Sequence, residues 1–230
     1  RVVYKGSGSS VDVTGLSAGT TYHVAVYEYN ESGAGAENYF TTGPATDSDT
    51  TLSAEPTQAT TLTFSSLGKD TITVGWTGGD GANLLLLAHE GAAVDAHPVD
   101  GVAYTANGLF GDGDELGTGN FVVYSGAGAS GAVTGLKTNT TYHFRAYEYN
   151  GSGGTLNYNT NTASGNPASQ ATYNLEPGIS QGGGLAQTAT VGTSPATQTL
   201  TITNIGLSQL SFDLSDDVGW LSLSAGSGGP

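Results

Sequence analysis

Polar and apolar residues alternate with a period of two through most of this chain. Residues 71–76 set Ile72, Val74 and Trp76 against Thr71, Thr73 and Gly75, and β-branched side chains dominate both sides. That is the pattern of a half-buried strand. Leu62 and Phe64 alternate in the segment before it, and residues 120–124 and 142–147 read the same way. Clusters of Gly, Asn, Ser and Thr separate these runs and read as turns. The longest unbroken apolar run, Leu84 to Ala88, has the length of a strand and is far short of the ~18 residues of a membrane span. No segment shows a helical period. Short strands between turn signals predict an all-β chain built of β-sandwiches, since one sheet must bury its apolar face against another.

The chain also repeats itself. Segment 1–30 aligns without gaps to segment 121–150, with 18 of 30 positions identical. Val13-Thr14-Gly15-Leu16 recurs as Val133-Thr134-Gly135-Leu136, Thr20-Thr21-Tyr22-His23 as Thr140-Thr141-Tyr142-His143, and Tyr27-Glu28-Tyr29-Asn30 as Tyr147-Glu148-Tyr149-Asn150. The offset of 120 residues is too long for a solenoid repeat and has the size of a whole domain. A tandem array, arranged end to end, is therefore expected.

The residues around each repeat carry a family resemblance. Val133-Thr-Gly-Leu136 followed by Thr140-Thr-Tyr142, and its copy Val13 to Tyr22, resemble the E–F corner of fibronectin type III domains. In that family a Leu, a Thr and a Tyr at this spacing form a tyrosine corner. Trp76 sits where the family places its B-strand core Trp, and Pro56 where its A strand begins. The resemblance covers 1–173 and implies core roles for Leu16, Tyr22, Trp76, Leu136 and Tyr142. Residues 91–119 make the unit longer than the usual ~90–100 residues, as in a long variant common in bacterial surface proteins. Residues 197–206, 210–214 and 219–224 read as further strands of a different pattern. They resemble the first half of bacterial immunoglobulin-like surface domains, with Trp220 in the core.

The expected domains are then 1–52, the C-terminal part of a fibronectin type III-like unit; 53–173, a complete one; and 174–230, the N-terminal part of an immunoglobulin-like unit. By alignment, residues 1–52 have no counterparts of the first three strands of the second unit. Their inner apolar face is expected to be open until further sequence, the favoured source, or strands of another subunit cover it.

Composition and charge narrow the function. The chain of 230 residues contains no Cys, which excludes disulfide staples and Cys-ligated metal scaffolds. With 5 Lys plus Arg against 20 Asp plus Glu, and a formal charge of −15, a surface that tracks nucleic-acid phosphates is excluded as well. Acidity, the lack of Cys and Met, and a surface rich in Gly, Ser, Thr and Asn lean towards an extracellular or cell-surface protein.

Candidate chemistry is sparse. His89-Glu90 starts like a zinc-protease motif, but Ala93 stands where the second His belongs. Asp112, Asp114 and Glu115 form a weak calcium candidate, although Leu116 and Val123 break the EF-hand pattern. No nucleophile–base set can be assembled, so no catalytic residue, no cofactor and no enzyme activity are expected. Alternation from Tyr22 and Tyr142 turns Glu28 and Glu148 inward, where a carboxylate needs hydrogen bonds from backbone N–H groups or a hydroxyl. The same count turns Tyr27, Tyr29, Tyr147 and Tyr149 outward as a candidate contact surface. The expected role is structural or adhesive: spacer or fibre-forming domains of a large secreted modular protein. Its expected partners are neighbouring domains, further copies of itself in a filament, or cell-surface glycans. A carbohydrate-binding accessory region and a calcium-dependent adhesin are the rival readings.

Overall fold

The computed structural model describes residues 1–30, 35–57, 60–173, 179–182, 190–193 and 201–204. The alternating segments fold as strands. In the first unit these are β1 (Thr21–Val26), β2 (Tyr29–Asn30), β3 (Asn38–Tyr39) and β4 (Ala45–Thr50). Then come β5 (Thr60–Ser65), β6 (Ile72–Gly78), β7 (Asn83–Glu90), β8 (Glu115–Leu116), β9 (Asn120–Gly126), β10 (Ser130–Val133), β11 (Thr141–Asn150), β12 (Asn157–Tyr158) and β13 (Ala168–Ala171). The last two are β14 (Ile179–Gly182) and β15 (Thr201–Asn204), an antiparallel pair. The one helical element among the described residues is a 3₁₀ turn, Gly153–Thr155. The expected strands at 210–214 and 219–224, with Trp220, lie outside the described residues.

Strands β5 to β13 form a β-sandwich, so the fold is all-β. One sheet has the order β10-β6-β5; the other runs β12-β11-β7-β9-β8, with β13 also paired to β11. Leu62, Ile72, Val74 and Trp76 of the small sheet pack on Leu84, Leu86, Tyr142, Phe144 and Ala146 of the large one. The four-leucine run now has a cause. β7 is central in the large sheet, and both its faces are covered. Leu84, Leu86 and Ala88 enter the sandwich core, while Leu85 and Leu87 enter a second cluster on the opposite face. A strand buried on both sides reads as continuous apolar sequence rather than alternation.

The second cluster is made by the long segment between β7 and β9. Val94 and Leu116 pack there with Val122, Tyr147, Leu156 and Tyr158, and Tyr104 and Ala106 lie at its edge. Backbone bonds fasten the segment to the sandwich, Asn107 donating to the Val122 carbonyl of β9 at 3.1 Å and Thr134, just after β10, to that of Gly108 at 2.8 Å. The extra length seen in the sequence is thus a third layer.

The two repeats share their hydrogen bonds as well as their residues. The Tyr22 hydroxyl accepts the Ser17 N–H at 2.8 Å, and the Tyr142 hydroxyl accepts the Lys137 N–H at 3.0 Å. The Tyr4 and Tyr124 hydroxyls accept the N–H groups of Gly8 and Gly128, each at 2.6 Å. Each repeat therefore closes its own corner locally. Packing differs: Leu136 and Tyr142 are core residues, whereas Leu16 is exposed and Tyr22 half-buried. In residues 1–52 only the pairs β1–β4 and β2–β3 form, and no second sheet lies over them among the described residues.

Candidate functional site

Two of the three carboxylates of the acidic turn proposed for calcium are used internally, and Asp112 is exposed. Asp114 accepts the Thr105 N–H at 2.7 Å, and Glu115 accepts the Gly119 N–H at 2.7 Å. Both bonds shape loops of the covering segment. Asp95 accepts the Asn120 carboxamide at 2.8 Å, and Glu90 pairs with Lys137 at 2.7 Å. Among the described residues, no three His, Asp or Glu side chains converge on a common point.

The outward tyrosines separate. Tyr147 is fully buried, which corrects its assignment to a contact surface. The alternation is as expected, but the covering segment occupies the outer face. The Tyr147 hydroxyl donates to the Ala96 carbonyl at 2.8 Å and lies 3.2 Å from His97 Nδ1. Burial pushes the Tyr147 phenol up to about 12, with the Arg145 charge opposing in part. Burial lowers His97 as well, and Arg145 adds to that shift. Tyr149 is half-buried and stacks on Tyr158 with ring centroids 5.1 Å apart. Tyr29 and Tyr39 repeat that pair at 5.2 Å in the first unit, and Tyr27 is exposed.

Glu148 and Glu28 also part company. Glu28 is exposed, contrary to the expectation, because among the described residues nothing covers its side of the first unit. Glu148 is only 5% exposed. The Gly81 N–H donates to it, and the Thr60 hydroxyl, which donates to the Thr77 carbonyl at 3.1 Å, lies beside it. Burial raises its pKa, these two groups pull it partly back, and nearby Asp80 raises it further. The β6–β7 loop wraps it closely: a Cβ at Gly81 would lie 2.7 Å from a Glu148 oxygen, and one at Gly79 would overlap the carboxyl group. A cleft of about 210 Å³ opens beside it, walled by Trp76, Gly79, Ala82 and Gly128.

The same end of the sandwich holds the segment that joins the two repeats. Asn150 donates to the Ala54 carbonyl at 2.8 Å and accepts the Ala82 N–H at 2.9 Å. Asn157 donates to the Ser53 carbonyl at 2.8 Å, and Asn159 to that of Pro56 at 3.0 Å. Asp80 accepts the Thr57 N–H at 2.9 Å and its hydroxyl at 2.5 Å. The Ser53 N–H donates to the Thr155 carbonyl at 2.9 Å. Residues 53–57 are thus fastened at nearly every position to β11, β12 and the β6–β7 loop. A carboxamide suits this work, because it can donate to one backbone group while accepting from another. Sequence reasoning missed these asparagines; the one trace was Asn30, the repeat partner of Asn150.

No family model and no curated protein matches this sequence. Among solved structures, the FN5 domain of Drosophila Lar is similar, at 17% identity over 47% of this chain and 97% of that domain, with a TM-score of 0.24.

Proposed function

We propose that this chain is a non-catalytic structural segment of a modular extracellular or cell-surface protein, in which residues 1–52, 53–173 and 174–230 belong to successive sandwich units that act as spacers or fibre-forming domains. The observation that carries this reading is the fastened linker. A joint meant to swivel would leave its backbone to water, as flexible linkers do. Here the chain passes from one unit to the next with no free stretch: the Gly19 N–H donates to the Leu52 carbonyl at 2.8 Å at the end of the first unit, and three carboxamides, one carboxylate and one carbonyl hold residues 53–57 within the second. Such a joint passes position and pull from one unit to the next. The formal charge of −15 keeps an array of this kind soluble.

Amide hydrogen exchange tests the reading. In the native chain the Ser53 and Thr57 amides should exchange slowly, and Asn157→Ala with Asn159→Ala should release them while residues 144–147 stay protected. Exchange of Ser53 and Thr57 at free-peptide rates in the native chain would refute the rigid-spacer reading.

A further inference from the structure

Glu148 is the only buried Asp or Glu among the described residues. Buried charges are as a rule paired with an opposite charge. The ion pairs of the described residues are Lys5 with Glu37, Lys69 with Asp70 and Lys137 with Glu90, so Glu148 belongs to none. The charge that acts on it is Asp80, of its own sign. A carboxylate offers about four acceptor positions. The Gly81 N–H takes one, and the Thr60 hydroxyl beside it is committed to the Thr77 carbonyl. Acceptor capacity is left over, and Glu148 lines the cleft of about 210 Å³.

Every wall of that cleft belongs to the second unit, and both sides are fixed. On one side, the Ala82 N–H donates to Asn150 at 2.9 Å and the Thr57 N–H to Asp80 at 2.9 Å, which holds the β6–β7 loop. On the other, residues 127–129 turn over Trp76. Its indole N–H donates to the Gly128 carbonyl at 2.8 Å and its amide to that of Ala129 at 3.1 Å. The Gly128 N–H in turn donates to the Tyr124 hydroxyl at 2.6 Å. A concave place with fixed walls and one enclosed titratable group has the form of a small-ligand site.

The walls specify the ligand. Trp76, Ala82, Ala127 and Ala129 supply apolar surface, and Glu148 is the charged group among them. The volume lies below the ~300–1,000 Å³ of pockets for drug-sized molecules, so the ligand is small. A hydroxyl can donate to Glu148. Only a cation also offsets the repulsion by Asp80 and the cost of holding the charge out of water.

We propose that this cleft binds a primary alkylammonium group, its N–H groups donating to the Glu148 carboxylate and its methylenes lying against Trp76, Ala82 and Ala127. Titration of the full chain with n-butylammonium chloride, followed by amide NMR, tests the site. Resonances of residues 79–82 and 127–129 should shift and saturate at millimolar concentrations, and sodium chloride at equal ionic strength should leave them in place. Glu148→Gln should weaken binding at least about tenfold, with amides 144–147 still protected from exchange. Affinity should fall as pH is lowered from 7 towards 5. Glu148 and Asp80 are the titratable groups there, since residues 126–129 are all Gly or Ala. Nα-acetyl-lysine methylamide separates two sources of the same group: binding at least as tight as that of butylammonium assigns the cleft to a lysine side chain, and weaker binding to a free amine.

Equal saturation by 1-butanol would overturn the ammonium, because a hydroxyl would then suffice. The site itself fails if residues 79–82 show no saturable shift in a chain whose amides 144–147 remain protected. Undiminished binding by Glu148→Gln would remove the carboxylate from the account. The Ser53 and Thr57 amides judge the spacer reading, which stands or falls apart from these outcomes.

Discussion

The Glu148 carboxyl group fills the space that a side chain at Gly79 would need. Gly79 also has φ +78°, a conformation that L residues other than glycine adopt at a cost. Loop and carboxylate have to be chosen together: the acid is tolerable only where backbone can approach it, and the backbone approaches only because Gly79 and Gly81 lack Cβ atoms.

Gly79→Ala should therefore destabilise the second unit by about 2–4 kcal/mol, combining backbone strain with displacement of Glu148. Gly111→Ala supplies the comparison. Gly111 has φ +96° with nothing within 4 Å of an added Cβ, so only strain acts there, at about 1–2 kcal/mol. Urea denaturation of both variants measures the difference, and equal losses would remove the collision from the account.

Glu148 should make stability depend on pH in the direction opposite to a salt-bridged acid. Its folded pKa is raised above the ordinary 4.5, chiefly by burial. Between that ordinary value and the raised one, the folded state binds the proton more tightly than the unfolded state does, so stability falls as pH rises through this window. Glu148→Gln removes the dependence. The native chain should gain on the variant as pH is lowered from 7 towards 5, read as the difference between two denaturation midpoints. Asp70 and Glu37, whose pKa values are lowered by Lys69 and Lys5, contribute with the opposite sign and cancel in that difference.

Asn166 stands in a gap in the large sheet. Its carboxamide accepts the Ala146 N–H at 3.0 Å and donates to the Ala146 carbonyl at 2.9 Å, between the stretches of β11 paired by β13 and β12. Asn166→Ala leaves both backbone groups buried and unpaired and should cost about 2–4 kcal/mol. Asn166→Asp keeps the shape but sets a carboxylate oxygen against the Ala146 carbonyl, so it should cost at least as much at pH 7. Thermal melts rank the pair, and a neutral Asn166→Ala would show that water replaces the side chain.

Tyr147 anchors the covering segment from below. Tyr147→Phe loses the bond to the Ala96 carbonyl and should cost about 1 kcal/mol, whereas Tyr147→Ala opens a cavity and should cost about 3–5 kcal/mol. Limited proteolysis should detect the Ala variant as earlier cleavage within 91–119, because that layer loses its floor.

Local geometry was legible in neighbouring residues alone. Alternation placed Ile72, Val74 and Trp76 on one face, and they form it. The spacing of Leu16 to Tyr22 and of Leu136 to Tyr142 carried a corner bond that closes within five residues, so it forms whether or not a second sheet is present. Inward placement of Glu148 followed from the same period of two. Tertiary structure decided what faces what. Alternation says that Tyr147 and Phe144 point to opposite sides of β11, but not that a loop lies over one of them. The identical Tyr-Glu-Tyr-Asn strings diverge for that reason, Glu148 being enclosed by the Gly79–Gly81 loop while Glu28 meets solvent. The clasp of Asn157 on Ser53 spans 104 residues, and no short-range pattern encodes a contact that exists only once both ends of a sheet are built. Local order is written in neighbouring residues; burial depends on surfaces brought together from far along the chain.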